Sequence, residues 1–228
     1  MYIIGKIPII TIKFHKMNFF QYIKKYTDAP MTHGMLLEVL KEYKRPNDKI
    51  SELVKSGTLL NLRRGLYLSG KQNELPPLSP FLIANHLRGP SYVSLESALS
   101  YWGIIPERVY QISSVTTKSP KIYENPVGRF SYTSLPLPYY CFGIKNIEFN
   151  KKQNALIASA EKAVCDKIIL TPGVLLRSIT QTLDFLLEDL RMDEGVLKNL
   201  DISLINSWIK DSPKKESIKF LTYTLQDL

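Results

Sequence analysis

Arg63 and Arg64, adjacent to one another and followed by Gly65, are the residues of this chain whose type and setting most favour binding chemistry. Guanidinium groups at a turn contribute nothing to a core, and they offer bidentate, charge-assisted hydrogen bonds to phosphate or to guanine. Upstream, Lys44, Arg45, Asn47, Lys49, Ser51 and Lys55 lie off the apolar face of a helical pattern that places Ile50, Leu53 and Val54 at i, i+3 and i+4. Such a polar face could meet DNA, with arginine contacting guanine or phosphate and lysine supplying salt-dependent backbone attraction. Charges opposite an apolar stripe are otherwise an ordinary solvated face. Here the basic signal repeats in the segment that follows. Tyr67, beside the arginines, would stack on a sugar at such an interface, although a strand tyrosine more commonly packs its ring inside.

Other reactive-looking groups do not assemble into a site. Glu161-Lys162 and Asp166-Lys167 resemble the carboxylate and lysine parts of a nuclease. However, Glu161 and Asp166 are separated by about 140° around a helix axis and do not converge, so a salt-bridged helix surface is expected. His15, His33 and His86 are scattered, and Cys141 and Cys165 make neither a zinc spacing nor a disulfide framework, which leaves two buried free thiols. No glycine-rich phosphate loop follows a strand and no serine sits in a nucleophile elbow. The expectation is a protein that is not an enzyme, with no catalytic residue, metal or cofactor. A nuclease-like body, or a body that binds a partner directly, are the alternatives. Tyr92, Glu96, Tyr101, Trp102 and Arg129 either form a partner surface or divide into packed aromatics and paired surface charges.

The elements that must position the basic residues are legible in outline. Phe19 to Tyr26 suggests a short helix, Thr32 caps a second through Leu40, and Pro46-Asn47 starts a third with Asn47 as the cap residue. Gly57 is placed for the left-handed conformation that ends it, and Leu60 and Leu62 alternate with Asn61 and Arg63 in a hairpin turning at Arg64-Gly65. Three helices followed by a hairpin is the order of a winged helix-turn-helix, whose third helix enters the major groove. Pro76-Pro77-Leu78-Ser79-Pro80 then marks a boundary, with Ser79 capping a helix and Pro80 at its first position. Beyond it the pattern predicts helices over 81–87 and 95–102, strands over 109–117, 121–124, 130–135, 139–144 and 153–158, and helices from Ser159 onward. The expected fold class is α+β. It comprises an N-terminal winged helix-turn-helix over residues 17–75 and a mixed α+β domain with a helical C-terminal part over 76–228.

Charge follows the same division. The chain of 228 residues carries a formal net charge of +9. Residues 1–75 hold 13 Lys and Arg against 6 Asp and Glu, residues 76–150 hold 6 against 4, and residues 151–228 hold 11 against 11. A basic head on a nearly neutral body favours a polyanionic partner at the head. The Ile7 to Ile12 run is short, is interrupted by Pro8 and lacks a cleavage signal, so a cytoplasmic protein without a membrane partner is expected. Met17 directly precedes the first helical pattern, and residues 1–16 read as an extension without an assigned role.

The order of motifs resembles the AbiEi antitoxin family of type IV toxin-antitoxin, or abortive infection, systems. The likeness runs collinearly through Ile50 to Leu68, Pro90 to Gly103, Ser113 to Lys118, Gly128 to Tyr132 and Ala155 to Ala163. It implies a bacterial transcriptional autorepressor in phage defence, whose winged helix binds inverted repeats in its own promoter as double-stranded DNA and self-associates there. It also implies that the C-terminal domain counteracts a nucleotidyltransferase-like toxin encoded next door. Ser159-Ala160-Glu161-Lys162 stands where the family has Thr-Pro-Glu-Lys, and the tail after residue 175 resembles the family only in being helical.

Overall fold

A computed structural model describes residues 19–23, 28–150 and 152–228. The 1–16 extension with its Ile7 to Ile12 run, the Met17 start, His15 and Tyr26 lie outside the described residues. The first part of the chain contains α1 (Phe19–Ile23), β1 (Met31–Thr32), α2 (His33–Val39), α3 (Pro46–Lys55), β2 (Leu59–Arg63) and β3 (Leu66–Ser69). The Thr32 hydroxyl accepts from the Met35 amide, as its type and position predicted. Helix α3 starts two residues earlier than expected. Arg45, not Asn47, is the cap residue, and Pro46 occupies the first turn, where its missing N–H costs nothing. Gly57 follows α3 at φ +74°. Strand β3 is the centre of a three-stranded antiparallel sheet ordered β1-β3-β2. The two-residue strand β1, absent from the sequence expectation, pairs Met31 with Tyr67 and Thr32 with Leu66. Ile23, Met31, Leu36, Leu40, Ile50, Leu53, Leu59 and Tyr67 form the apolar cluster beneath these elements.

The chain continues through α4 (Pro80–Leu87), β4 (Ser91–Val93), α5 (Leu95–Tyr101), β5 (Ile112–Thr116), β6 (Lys121–Asn125), β7 (Gly128–Ser134), β8 (Ile144–Asn150) and β9 (Gln153–Ala158). Among the described residues these strands make a six-stranded mixed sheet ordered β6-β7-β5-β4-β9-β8. Ser79 caps α4 and Pro80 is its first residue, as expected. Strand β4 interrupts a segment expected only to lead into a helix. Residues 139–144 are not a strand: Tyr139–Cys141 is a 3-10 turn between Pro138 and Gly143, and β8 begins at Ile144. Pro136 and Pro138 withhold amide donors just where a strand would need them. Cys165 is buried as expected, whereas Cys141, in that turn, is exposed.

The remainder is helical: α6 (Ala160–Leu170), α7 (Ile179–Leu183) running into a π-helical turn at Asp184–Asp189, α8 (Glu194–Leu197), α9 (Ile202–Trp208) and α10 (Lys215–Asp227). Ser159, Ser178, Asp193 and Asp201 each accept from the amide three residues on, satisfying donors that a helix start leaves open. At the other end of α6 the Lys214 ammonium donates to the carbonyls of Ile168, Thr171 and Val174, a cation placed on a helix C-terminus. The architecture is therefore mixed α+β with a helical C-terminal part, and none of the described helices is long and apolar enough to cross a membrane.

Candidate nucleic-acid interface

Helix α3 buries Ile50 and Leu53 and leaves Asn47, Asp48, Ser51, Glu52 and Lys55 in solvent, beside exposed Lys44 and Arg45. Its cations are unequally available. Lys49 reaches Glu52 at 2.7 Å and lies 5.8 Å from the centre of the Tyr43 ring, and Arg45 approaches Asp48 at 3.6 Å. These pairs partly neutralise the helix surface. Lys44 and Lys55 are in no ion pair among the described residues. Ser51 donates to the Asn47 carbonyl at 3.0 Å, which keeps its hydroxyl against the helix.

The β2–β3 hairpin presents a simpler charge. Strand β2 ends on Arg63 and β3 begins on Leu66, so Arg64 and Gly65 alone make the turn. Gly65 takes φ +81°, a conformation that a residue with a Cβ adopts only with strain. The His33 amide donates to the Gly65 carbonyl at 3.0 Å, fastening the turn to the start of α2. Arg63 and Arg64 are exposed and in no ion pair among the described residues; Arg63 donates only to the Arg64 carbonyl, at 3.2 Å.

Tyr67, expected at this interface, is corrected by its position. Its residue is 9% exposed, pairs with both Met31 and Asn61, and belongs to the apolar cluster beneath α2 and α3. A ring held there is not available to stack on a sugar. The other face of the hairpin is also covered. Leu62, Leu66 and Leu68 pack into the cluster of the six-stranded sheet, and the Asn125 amide donates to the Leu62 carbonyl at 3.3 Å. The hairpin is thus a wall shared by both apolar clusters, with its tip beside β6 at the edge of the larger sheet.

Sequence reasoning missed the cations on and beside that edge of the sheet. Lys121 stands opposite Tyr132 in the β6–β7 register, with its ammonium 4.9 Å from the centre of the Tyr123 ring. Tyr132 donates to the Ala84 carbonyl at 2.6 Å. Burial pushes its phenol up, and the positive charges of Arg88 and Arg63 oppose that rise. Arg88 donates to the Ser119 carbonyl and hydroxyl, and Lys118 to the Gly89 carbonyl. The available signal was the small positive surplus of residues 76–150. It was hidden because its cations are scattered along the sequence.

The other motifs resolve as core or as paired surface. Lys162 and Asp166 do not form a solvated salt bridge. Both side chains are 0% exposed and meet at 2.9 Å. Tyr92 and Ser94 donate to the other Asp166 oxygen at 2.9 and 2.7 Å. The Lys162 ammonium donates to the Tyr139 carbonyl at 3.0 Å and lies 3.6 Å from the centre of the Tyr139 ring. Burial holds Lys162 below its ordinary pKa against the opposing pull of Asp166, and the same burial raises the phenols of Tyr92 and Tyr139. Burial would raise the Glu96 carboxyl, but its pairing with Lys167, a backbone amide and Ser113 together hold it below its ordinary pKa. Trp102 donates to the Ala158 carbonyl at 2.8 Å, Arg129 pairs with Glu124, and Tyr101 is 40% exposed. Among the described residues no three His, Cys, Asp or Glu side chains are grouped to hold a metal ion.

No protein-family model matches the chain, and no curated protein does. Among solved structures, the crystal structure of the RV2827C protein from Mycobacterium tuberculosis is similar. Its TM-score is 0.60 and its sequence identity 12%, over 90% of this chain and 75% of that chain. At that identity the likeness is one of fold alone.

Proposed function

We propose that residues 17–75 are a winged helix-turn-helix and that the chain is a sequence-specific DNA-binding repressor of its own promoter. The observation that carries this reading is the Arg63-Arg64 tip of a two-residue hairpin, in no ion pair among the described residues, just after a helix whose polar face is exposed. The order β1-α2-α3-β2-β3, with β1 closing onto the hairpin, supports it, because that order brings a helix and a basic wing to neighbouring positions on a duplex. Lys44, Arg45, Asn47, Lys49, Ser51 and Lys55 are the helix candidates, and Arg63 and Arg64 the wing candidates. The pairing of Arg45 and Lys49 with acidic neighbours puts more of the backbone attraction on the wing.

The resemblance to the AbiEi antitoxins supplies the biological setting: an antitoxin that silences its operon and counteracts a nucleotidyltransferase-like toxin through its C-terminal domain. Fluorescence anisotropy with a duplex from immediately upstream of the reading frame, against a scrambled duplex of equal length, tests the repressor reading. Tighter binding to the native sequence, falling steeply with salt, is expected. Equal weak affinity for both overturns it. Arg64→Ala should weaken binding roughly fivefold at about 0.15 M salt, the share of one phosphate contact, with no loss of thermal stability. Unchanged affinity would remove the wing from the interface. Co-purification of the neighbouring gene product tests the toxin partner separately.

A further inference from the structure

We propose that the DNA-backbone surface does not end at the hairpin but continues onto the edge of the six-stranded sheet, where Arg88, Lys118 and Lys121 hold phosphates flanking those gripped by Arg63 and Arg64. This rests on the DNA-binding reading above and extends it to a part of the chain that the sequence analysis left nearly neutral. The hairpin is packed on that sheet through Leu62, Leu66 and Leu68, and Asn125 of β6 holds the Leu62 carbonyl next to Arg63. A strand of DNA backbone drawn to the tip therefore arrives beside β6.

The charge there has few acidic partners, although Arg88 and Lys118 donate to backbone carbonyls and Lys121 lies over the Tyr123 ring. Residues 76–150 contain Arg88, Arg108, Lys118, Lys121, Arg129 and Lys145 against Glu96, Glu107, Glu124 and Glu148. Glu96 is taken by Lys167, Glu107 lies 4.0 Å from Arg191, and Glu124 lies 3.4 Å from Arg129. Arg88, Lys118 and Lys121 are in no ion pair among the described residues, and Lys118 and Lys121 are exposed. Arg88, at the C-terminal end of α4, reaches Ser119, Lys118 reaches Gly89, and Lys121 starts β6, the strand whose Asn125 holds the hairpin. Arg108 and Lys145 are likewise in no ion pair among the described residues, but they lie over Tyr110 and Trp102, whereas Lys121 lies on the strand that meets the hairpin. Cations without acidic partners among the described residues suit a polyanion read by charge rather than by sequence, which is the character of phosphate contacts.

The test uses the full chain and three variants: Arg64→Ala, Lys121→Ala, and Lys118→Ala with Lys121→Ala. Affinities for the native and scrambled duplexes are measured across a salt series, and unchanged melting temperatures confirm that the variants fold. Each phosphate contact contributes about 0.9 to the slope of log K against log salt, or roughly fivefold in affinity at about 0.15 M salt. Lys121→Ala should lose about fivefold and the double variant about 25-fold. Both duplexes should be affected alike, because backbone contacts carry no sequence information, and the slope should fall by about one and about two. Native affinity and slope in both lysine variants, alongside weakened binding by Arg64→Ala, would overturn this extension and leave the wing reading standing. Absence of binding to either duplex by the unmodified protein would overturn both readings.

Discussion

Lys162 and Asp166 are two charges withdrawn wholly from water, and their arrangement shows how that is tolerated. The pair is closed at 2.9 Å, and Asp166 additionally accepts from Tyr92 and Ser94, while Lys162 donates to the Tyr139 carbonyl and rests on its ring. An ion pair of this kind is costly to half-remove, because the survivor keeps its desolvation cost and loses its counter-charge. Asp166→Ala should therefore lower stability by about 3–5 kcal/mol in urea denaturation. Lys162→Met combined with Asp166→Ala should cost less than the sum of the two single changes. A loss under about 1 kcal/mol for Asp166→Ala would mean that solvent or another acceptor takes the place of Asp166 beside Lys162. The i,i+4 spacing of these residues is the same for a surface pair and a buried one, so spacing alone could not separate them. The distinguishing feature was their company. Ala163, Val164, Cys165, Ile168 and Ile169 surround the pair with apolar side chains, and the partly exposed polar positions of α6 are Glu161 and Lys167.

Among the elements, the hairpin depends on a contact at its base as much as on its turn. A Cβ on Gly70 would stand 1.8 Å from the Gly57 carbonyl oxygen, which is backbone and cannot swing aside. The Gly70 amide also donates to the Thr58 carbonyl at 2.8 Å, closing the sheet where β3 leaves it. Gly70→Ala should cost about 3 kcal/mol in chemical denaturation. Gly34→Ala, in the first turn of α2 with nothing within 4 Å, should stabilise by about 0.4–1 kcal/mol. Equal effects of the two changes would show that the Gly57–Gly70 approach relaxes freely. The same elements show what a single sequence reveals. Helix α3 and the hairpin were legible because apolar periodicity, a terminating glycine and turn residues agree over residues 50–68. Strand β1 was not, because two residues carry no period and its place is set by β3 across the fold. Residues 139–144 were misread because their aromatic content suits a strand, while the flanking prolines decide against one. Tyr67 was ambiguous for a similar reason: which face of β3 is buried depends on β1 and α2, not on its own neighbours in sequence.

For the whole molecule, the sharing of the hairpin by two apolar clusters sets a limit on treating the head as independent. Pro76 to Pro80 separate the chain segments, but they do not separate the packing. Leu62, Leu66 and Leu68 are buried against the larger sheet, and removing that sheet would return three leucines to water. At about 1.5–3 kcal/mol for each fully exposed side chain, the loss is comparable to the entire stability available to a domain of this size. A fragment of residues 17–75 should therefore be largely unfolded or self-associated by circular dichroism and sedimentation, whereas the full chain folds. A monomeric fragment melting cooperatively at the temperature of the full chain would overturn this account. The coupling also bears on the proposed function. A wing held by the body is kept in one orientation before DNA arrives, so less conformational entropy is lost on binding. Asn125→Ala, which frees the Leu62 carbonyl without touching a proposed phosphate contact, should weaken binding by less than Arg64→Ala and leave the salt slope unchanged.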